Sequence, residues 1–213
     1  MCSCGRFLMS AYVSTVRRPP RTLVDSERDR LLRVTGEHRA GFRDHMIFSV
    51  ALGTALREHE ICALNVGDVM HADERIKRRF PLRVFKRSNR DLVDQHCIVP
   101  DTLAYKLTKF IAWKKAQGES LAPDAPLFVS RLGKRIATRT LRLLFRTWQA
   151  RAGFDRIHTF HALRHTALVA VYRRKRDVRY VQAVGRHKSV QSSMVYIAPA
   201  DQEIEDAMRE QIC

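Results

Sequence analysis

Residues 159–172 have the sequence TFHALRHTALVAVY, a polar turn that runs into an apolar stretch. This pattern predicts the start of a helix, with Thr159 available as the N-cap. His161 and Arg164 stand three positions apart, about 60° around a helix axis, and therefore share one face. Together they can bind one small anion, and a phosphate fits the pair. The spacing alone is a weak signal because the chain is rich in arginine.

A second stretch, residues 184–196, reads VGRHKSVQSSMVY. On one continuous helix the nine positions from His187 to Tyr196 would turn through about 900° and leave the two side chains on opposite faces. If both residues serve one site, the chain must bend between them. Gly185 and the serine-rich residues 189–193 permit such a bend.

The order His-x-x-Arg, then Gly and His, then Tyr nine residues later resembles the C-terminal signature of tyrosine recombinases, the phage integrase family. Upstream, residues 50–64 (VALGTALREHEICAL) match the family's apolar helix followed by Arg57 and, three residues later, Glu60. Residues 82–90 (LRVFKRSNR) stand where the family has a hairpin lysine, here Lys86. The similarity therefore extends over most of the chain.

The resemblance implies a set of catalytic residues for DNA strand cleavage. They are Arg57, Lys86, His161, Arg164, His187 and Tyr196. By resemblance, Tyr196 is the nucleophile, the two arginines bind the scissile phosphate, and Lys86 protonates the 5′-hydroxyl leaving group. His161 assists proton transfer, and His187 donates to the phosphate. Guanidiniums suit this chemistry because they supply fixed donors where negative charge grows on the phosphate oxygens.

Further residues are predicted to support this set. Glu60 is placed by resemblance behind Arg57, and the predicted DNA contacts are Arg87, Arg90, Arg186 and Lys188. No cofactor is expected, and no metal is required, because the carboxylates are scattered away from the motif rather than clustered as in a two-metal nuclease. The five cysteines show no zinc spacing and are interpreted as reduced thiols.

The chain departs from the family pattern at two places. The usual Leu-Gly-His is replaced by a sequence with Arg186 between Gly185 and His187, so Arg186 is interpreted as either a phosphate contact or a local distortion. Lys86 is followed by Arg-Ser-Asn instead of glycine, and a solvated surface lysine is the alternative interpretation. The distance from His187 to Tyr196 is nevertheless preserved.

Each remaining candidate also has a structural interpretation. Arg57 and Glu60 have the i,i+3 spacing of a surface ion pair, and His161 could be a helix N-terminal histidine without a role. Tyr172 and Tyr180 are rival nucleophiles only in principle, because both lie on apolar patterns that predict packing.

The charge balance identifies the expected partner. Lys and Arg total 39 against 22 Asp and Glu, which gives a formal net charge of +17 and a sequence pI of about 10.5. Arginine, with 30 residues against 9 lysines, dominates this charge. A guanidinium can bind a phosphate group through two parallel hydrogen bonds. The composition therefore favours double-stranded DNA as the partner over a merely soluble basic surface.

The chain is predicted to form an α+β fold, mainly helical, with a small antiparallel sheet from strands at 83–85 and 97–99. Residues 1–21 are expected to form a basic, flexible arm, and residues 22–200 the catalytic domain. Residues 201–213 are expected to form a helix with a narrow apolar stripe, which packs on its own domain or docks into a neighbouring protomer. No apolar run approaches a membrane span, so a cytoplasmic, nucleoid-associated protein without a membrane partner is expected.

The function implied by the resemblance is site-specific recombination through a covalent 3′-phosphotyrosyl intermediate, leading to inversion, excision or integration. A type IB topoisomerase and a non-catalytic DNA-binding regulator are the alternatives. Typical family members carry a further helical DNA-binding domain, whereas this chain is similar in size to single-domain members such as the fimbrial invertases. A homotetramer on paired sites, alone or with an accessory or partner recombinase, is therefore expected.

Overall fold

The computed structural model describes residues 21–38, 40–82, 95–196 and 209. It confirms an α+β fold that is mainly helical. The helices are α1 (Asp25–Glu37), α2 (Phe42–Thr54), α3 (Glu58–Ala63), α4 (Val66–Val69), α5 (Asp101–Ala116), α6 (Thr138–Arg151), α7 (His161–Lys175), α8 (Val178–Gly185) and α9 (Gln191–Met194). Strands β1 (Arg79–Pro81) and β2 (His96–Ile98) pair in antiparallel register, with Phe80 opposite Cys97.

Helix α2 is the centre of the fold and packs against α1, α5 and α7. Residues 46–51 are buried on every side, as expected for a helix that is apolar around most of its circumference. Phe48 contacts Phe145 of α6 with ring centroids 5.5 Å apart, and Phe145 contacts Phe160 at 5.7 Å. Because Phe160 directly precedes α7, this aromatic cluster fixes where α7 starts.

A smaller apolar cluster lies on the other side of α7. It is formed by Ala55, Ala167, Leu168 and Val181, and Tyr172 and Tyr196 pack against it. The cluster holds α8 and the ring of Tyr196 against α7. The nucleophile predicted from the sequence is therefore placed by packing rather than by a loop alone.

The predicted N-cap of α7 is wrong. The cap is Phe160 instead of Thr159, and the backbone oxygen of Thr159 accepts from Ala162 N at 2.9 Å. The cap of α1 is Val24, whose backbone N–H donates to Glu27 Oε2 at 2.9 Å. Helices α3 and α4 are two separate short helices, and the break between them is described next.

The break between α3 and α4 falls at Leu64 and Asn65. The backbone N–H of Asn65 donates to Asp68 Oδ2 at 2.8 Å, which satisfies a free donor at the start of the new helix. The backbone N–H of Val66 donates instead to Ala125 O at 2.9 Å. These partners outside the helix stop α3 from continuing.

Some predictions fall on residues that the structure does not describe. The strand predicted at 83–85 lies outside the described residues, and β1 lies just before it at Arg79–Pro81. The predicted strand at 97–99 overlaps β2. The basic arm, apart from Arg21, and the C-terminal helix, apart from Arg209, also lie outside the described residues. Among the helices that are described, none has the length and apolar character needed to span a bilayer.

Candidate active site

A cavity of about 610 Å³ opens where α3, α6, α7 and the α8–α9 turn meet. Its lining is formed by Arg57, Glu58, His59, Arg142, His161, Arg164, Arg186, His187, Lys188, Ser192 and Tyr196. Five of the six predicted catalytic residues are among them. The sixth, Lys86, lies outside the described residues, as do Arg87 and Arg90.

Arg57 directly precedes α3, and its carboxylate partner Glu60 lies one turn later. The backbone N–H of Arg57 donates to Glu60 Oε2 at 2.7 Å, and its Nη1 donates to Oε1 at 2.9 Å. The i,i+3 ion pair considered from the sequence therefore exists, but it lies beneath the cavity and not on the surface, because the Glu60 side chain is fully buried. Its carboxylate fixes the guanidinium of Arg57 in the cavity wall.

Arg164 is 3% exposed and bridges two helix ends. Its Nη1 donates to Ala55 O at the end of α2, and its Nη2 donates to Gly185 O at the end of α8. Carbonyl groups at helix C-termini carry partial negative charge, which suits a buried cation. Burial, with repulsion from Arg57 and Arg186, lowers the pKa of Arg164 to about 10, so the side chain stays charged at neutral pH.

Arg186 ends α8 in a left-handed conformation, with φ of 50°. Its Nη2 donates to Glu60 Oε2 at 2.8 Å, and the residue is 7% exposed. The extra arginine thus joins the α8–α9 turn to α3. Contacts of Arg186 and Lys188 with DNA stay predictions.

His187 lies against Gly185, where a Cβ atom would come within 2.8 Å of the imidazole ring. Its Nε2 is 3.2 Å from Arg164 Nη2, and its Nδ1 is 2.8 Å from Ser193 Oγ. Since arginine only donates, Nε2 accepts and Nδ1 carries the proton that is donated to Ser193. Burial, followed by the charges of Arg164, Arg57 and Arg186, lowers the pKa of His187 to about 4, so the ring is neutral at pH 7.

Tyr196 faces His187 because the chain bends between them, as expected from the sequence. Helix α8 ends at Gly185 and α9 covers only Gln191–Met194, so the two rings stack with centroids 5.7 Å apart and an angle of 13° between their planes. Burial raises the pKa of the Tyr196 hydroxyl, and the nearby guanidiniums of Arg164 and Arg57 oppose this effect. The phenol is therefore protonated at neutral pH.

His161 lies at the start of α7 and lines the same cavity. Burial and the charge of Arg164 lower the pKa of His161. Its ring meets that of His165 edge-on, with centroids 4.5 Å apart. Among the described residues, the rival tyrosines do not line the cavity: Tyr172 packs against the smaller apolar cluster, and Tyr180 is 49% exposed rather than packed.

Sequence reasoning missed two features of the site. His165 Nδ1 lies 2.9 Å from Tyr196 Oη, although His165 was not among the predicted residues. Its only sequence signal is the i,i+4 spacing from His161, which puts both imidazoles on one helix face. Glu58 and Arg142 form an ion pair of 2.7 Å between α3 and α6 at the cavity, and no motif marked either residue.

The described residues contain no group of three or more His, Cys, Asp or Glu side chains arranged to hold a metal ion. The positive charge that faces the cavity is carried by guanidiniums and a lysine. The donor set therefore suits an anion rather than a cation. A phosphate group meets this requirement in both charge and hydrogen-bonding capacity.

The comparison with family models gives a match to the phage integrase family over residues 21–203. The tyrosine recombinase XerC of Herpetosiphon aurantiacus is 26% identical over 179 residues, which cover 83% of this chain and 55% of the relative. The XerC of Corynebacterium efficiens is 29% identical over 170 residues, covering 79% and 50%. The chain thus spans about half the length of these curated relatives.

Two solved structures have the same fold. The crystal structure of XerA recombinase superimposes with a TM-score of 0.72 and 25% identity, covering 92% of this chain and 68% of that one. The XerH site-specific recombinase, bound to a palindromic difH substrate, gives a TM-score of 0.70 and 18% identity, covering 91% and 54%.

Proposed function

The chain belongs to the phage integrase family, and from that membership we propose that it is a site-specific DNA recombinase. Tyr196 attacks a phosphodiester and becomes linked to the 3′-phosphate, and a 5′-hydroxyl later attacks that bond to rejoin the strand. The phosphotyrosyl bond conserves the energy of the broken phosphodiester, so rejoining needs no external energy source. The outcome is inversion, excision or integration of a DNA segment.

One observation carries the proposal: among the described residues, Tyr196 is the one tyrosine in the cavity, and it shares the cavity with Arg57, Arg164 and three histidines. A phosphodiester brings one negative charge into this cavity, and attack by an oxygen nucleophile spreads more charge over its non-bridging oxygens. Guanidiniums held in place beforehand stabilise that charge with little reorganisation. The geometry suits phosphoryl transfer to tyrosine better than hydrolysis.

Hydrogen bonds to neighbouring groups hold each of the two arginine side chains in position for phosphate binding. The guanidinium of Arg57 has five N–H donors, so its bond to Glu60 at 2.9 Å orients the group without exhausting its capacity for phosphate. Arg164 is held by two helix-end carbonyls from α2 and α8. The guanidiniums of Arg57 and Arg164 therefore keep their relative positions only while α3, α7 and α8 are packed together.

The remaining roles are proposals that follow from the family. Lys86 is the acid that protonates the 5′-oxygen, and His161 assists proton transfer at the cavity. His187 donates to the phosphate, which requires its Nε2 to turn from acceptor of Arg164 to proton donor. Arg186 and Lys188 line the cavity and supply further positive charge toward DNA.

We propose double-stranded DNA as the partner and a homotetramer on paired sites as the active assembly, alone or with an accessory or partner recombinase. The net charge of +17 supports binding to a polyanion. The XerH structure is a complex with its DNA substrate. Exchange between two duplexes requires four strand cleavages, and one tyrosine per protomer implies four copies of the chain.

Covalent capture followed by an exchange assay tests this function. The protein is first incubated with a pool of nicked duplexes of random sequence, and DNA that becomes covalently attached is sequenced. Two copies of the recovered site are then placed on one plasmid. We expect inversion or excision by the wild type and none by Tyr196→Phe. Relaxation of plasmids that lack the site, without exchange, would identify a topoisomerase, and binding without covalent attachment would identify a regulator.

A further inference from the structure

His165 contacts the reacting atom of Tyr196 directly. Its Nδ1 lies 2.9 Å from the phenolic oxygen, and the two ring centroids are 5.3 Å apart. His165 follows Arg164 on α7, so the same helix turn carries a cation of the cavity and an imidazole that faces the nucleophile. None of the roles discussed above uses this imidazole.

The protonation states of the two groups determine which of them can give up a proton. The phenol keeps its proton at neutral pH because burial raises the pKa of Tyr196, and the imidazole is neutral because burial lowers the pKa of His165 to about 4. The reactive arrangement of the 2.9 Å contact is therefore a phenol that donates to Nδ1 and an imidazole that carries its own proton on Nε2.

We propose that His165 is the proton acceptor for Tyr196. As the phenolic oxygen forms its bond to phosphorus and the bond from phosphorus to the 5′-oxygen breaks, the phenolic proton passes to His165 Nδ1. The leaving 5′-oxygen takes its proton from the acid, proposed to be Lys86. In rejoining, the His165 imidazolium returns its proton to the departing phenol, as microscopic reversibility requires. This inference rests on the proposed cleavage by Tyr196.

The electrostatics of the cavity are consistent with this transfer. Burial raises the pKa of Tyr196, so the phenol does not ionise on its own at neutral pH and benefits from a base at hydrogen-bonding distance. Burial, followed by His161, Arg164 and His187, lowers the pKa of His165 to about 4, which keeps it neutral. A bound phosphate opposes these positive charges and raises the basicity of the imidazole when substrate is present.

A purely structural role for His165 would give different experimental results from a role as proton acceptor. A more acidic phenol at position 196 distinguishes the two roles. In a tyrosine whose ring carries two fluorine atoms, the hydroxyl is more acidic and needs less help from a base. Incorporated at position 196, this residue compensates for a lost proton acceptor but not for lost packing. His165→Asn provides the second comparison, because an amide oxygen can accept a hydrogen bond but cannot take up the proton.

The experiment measures the single-turnover rate of covalent adduct formation on a nicked duplex that carries the captured site. His165→Ala and His165→Asn are each expected to slow the reaction by about 10²–10⁴-fold. With difluorotyrosine at 196, both variants are expected to recover most of the wild-type rate. His187→Ala is the matched control, since it removes a neighbouring imidazole assigned to the phosphate, and it should remain slow with either phenol.

Three results would overturn the inference. They are wild-type rates in both His165 variants, full activity of His165→Asn alone, and a loss that difluorotyrosine leaves unchanged. Failure of the proposed function looks different, because the wild type itself would then form no adduct, or Tyr196→Phe would still form one. Thermal melts of each variant show whether the fold is retained.

Discussion

Arg186 donates to Glu60 across 2.8 Å, and both side chains are almost fully buried, with 6% and 0% exposed. The pair connects the turn that carries His187 to the helix that begins after Arg57. Burial acts to raise the pKa of Glu60, but the charges of Arg186 and Arg57, together with hydrogen bonds from Arg57, outweigh it and lower the pKa overall. One charged carboxylate thus holds two guanidiniums.

Arg186→Met is expected to destabilise the protein because it leaves the buried Glu60 carboxylate with one cation instead of two. We expect the free energy of unfolding to fall by about 3 kcal/mol, measured by urea denaturation. The matched control is Arg179→Met, which removes the exposed partner of Asp177 and should change little. Equal effects of the two substitutions would show that the Arg186–Glu60 pair contributes no more than a surface ion pair.

Stability should fall as the pH is lowered from about 6.5, the ordinary pKa of histidine, towards 4. In the folded protein the pKa values of His165 and His187 are both lowered to about 4 by burial and nearby cations. Between these pH values the unfolded chain binds more protons than the folded one, so acidification favours unfolding. His187→Asn should make the decline shallower, whereas His71→Asn at an exposed position should not. Chemical denaturation at several pH values measures the slope, and identical slopes in all three proteins would contradict this account.

Arg164→Lys should cleave DNA about 10²–10³-fold more slowly. An ammonium is a single point donor and cannot bridge Ala55 O and Gly185 O as the guanidinium does. Single-turnover adduct formation gives the rate, and a thermal melt checks folding. Arg142→Lys at the cavity rim, where the side chain is 66% exposed, should have a much smaller effect. If Arg164→Lys forms the adduct at the wild-type rate, the proposal that Arg164 binds the phosphate is wrong.

Chelation should leave DNA cleavage intact, because the charges proposed to stabilise the phosphate are Arg57, Arg164 and their neighbours. Adduct formation is measured after dialysis against EDTA and again after Mg²⁺ is restored. We expect the same rate in both. A cleavage step that requires Mg²⁺ would place a metal ion where the account places guanidiniums.

Parts of the site were predictable from local sequence. The three-residue spacing of His161 and Arg164 fixes one helix face, and the structure puts both in one cavity. The nine-residue spacing of His187 and Tyr196 required a bend, and the structure has one: α8 ends before His187, and only the short α9 lies between the two residues. Both predictions, a shared helix face and a bend in the chain, depend only on helix geometry and on where a helix ends.

Other parts depend on contacts between distant segments. Glu60 and Arg186 are 126 positions apart, and the contact of His165 with Tyr196 depends on how α9 folds back on α7. The start of the sheet was also ambiguous, because apolar residues alternate from Phe80 through Leu82 and into residues 84–85. Alternation identifies a strand face but not its limits, and pairing with Cys97 selects Phe80.

The central claim is that Tyr196 becomes covalently linked to DNA. The direct measurement is peptide mapping by mass spectrometry of the adduct formed on a nicked duplex that carries the captured site. We expect a 3′-phosphate on the peptide that contains Tyr196 and no adduct with Tyr196→Phe. The adduct should be unchanged with Tyr180→Phe, because the side chain of Tyr180 is half exposed and lies outside the cavity. An adduct that persists in Tyr196→Phe, or one mapped to Tyr180, would contradict it.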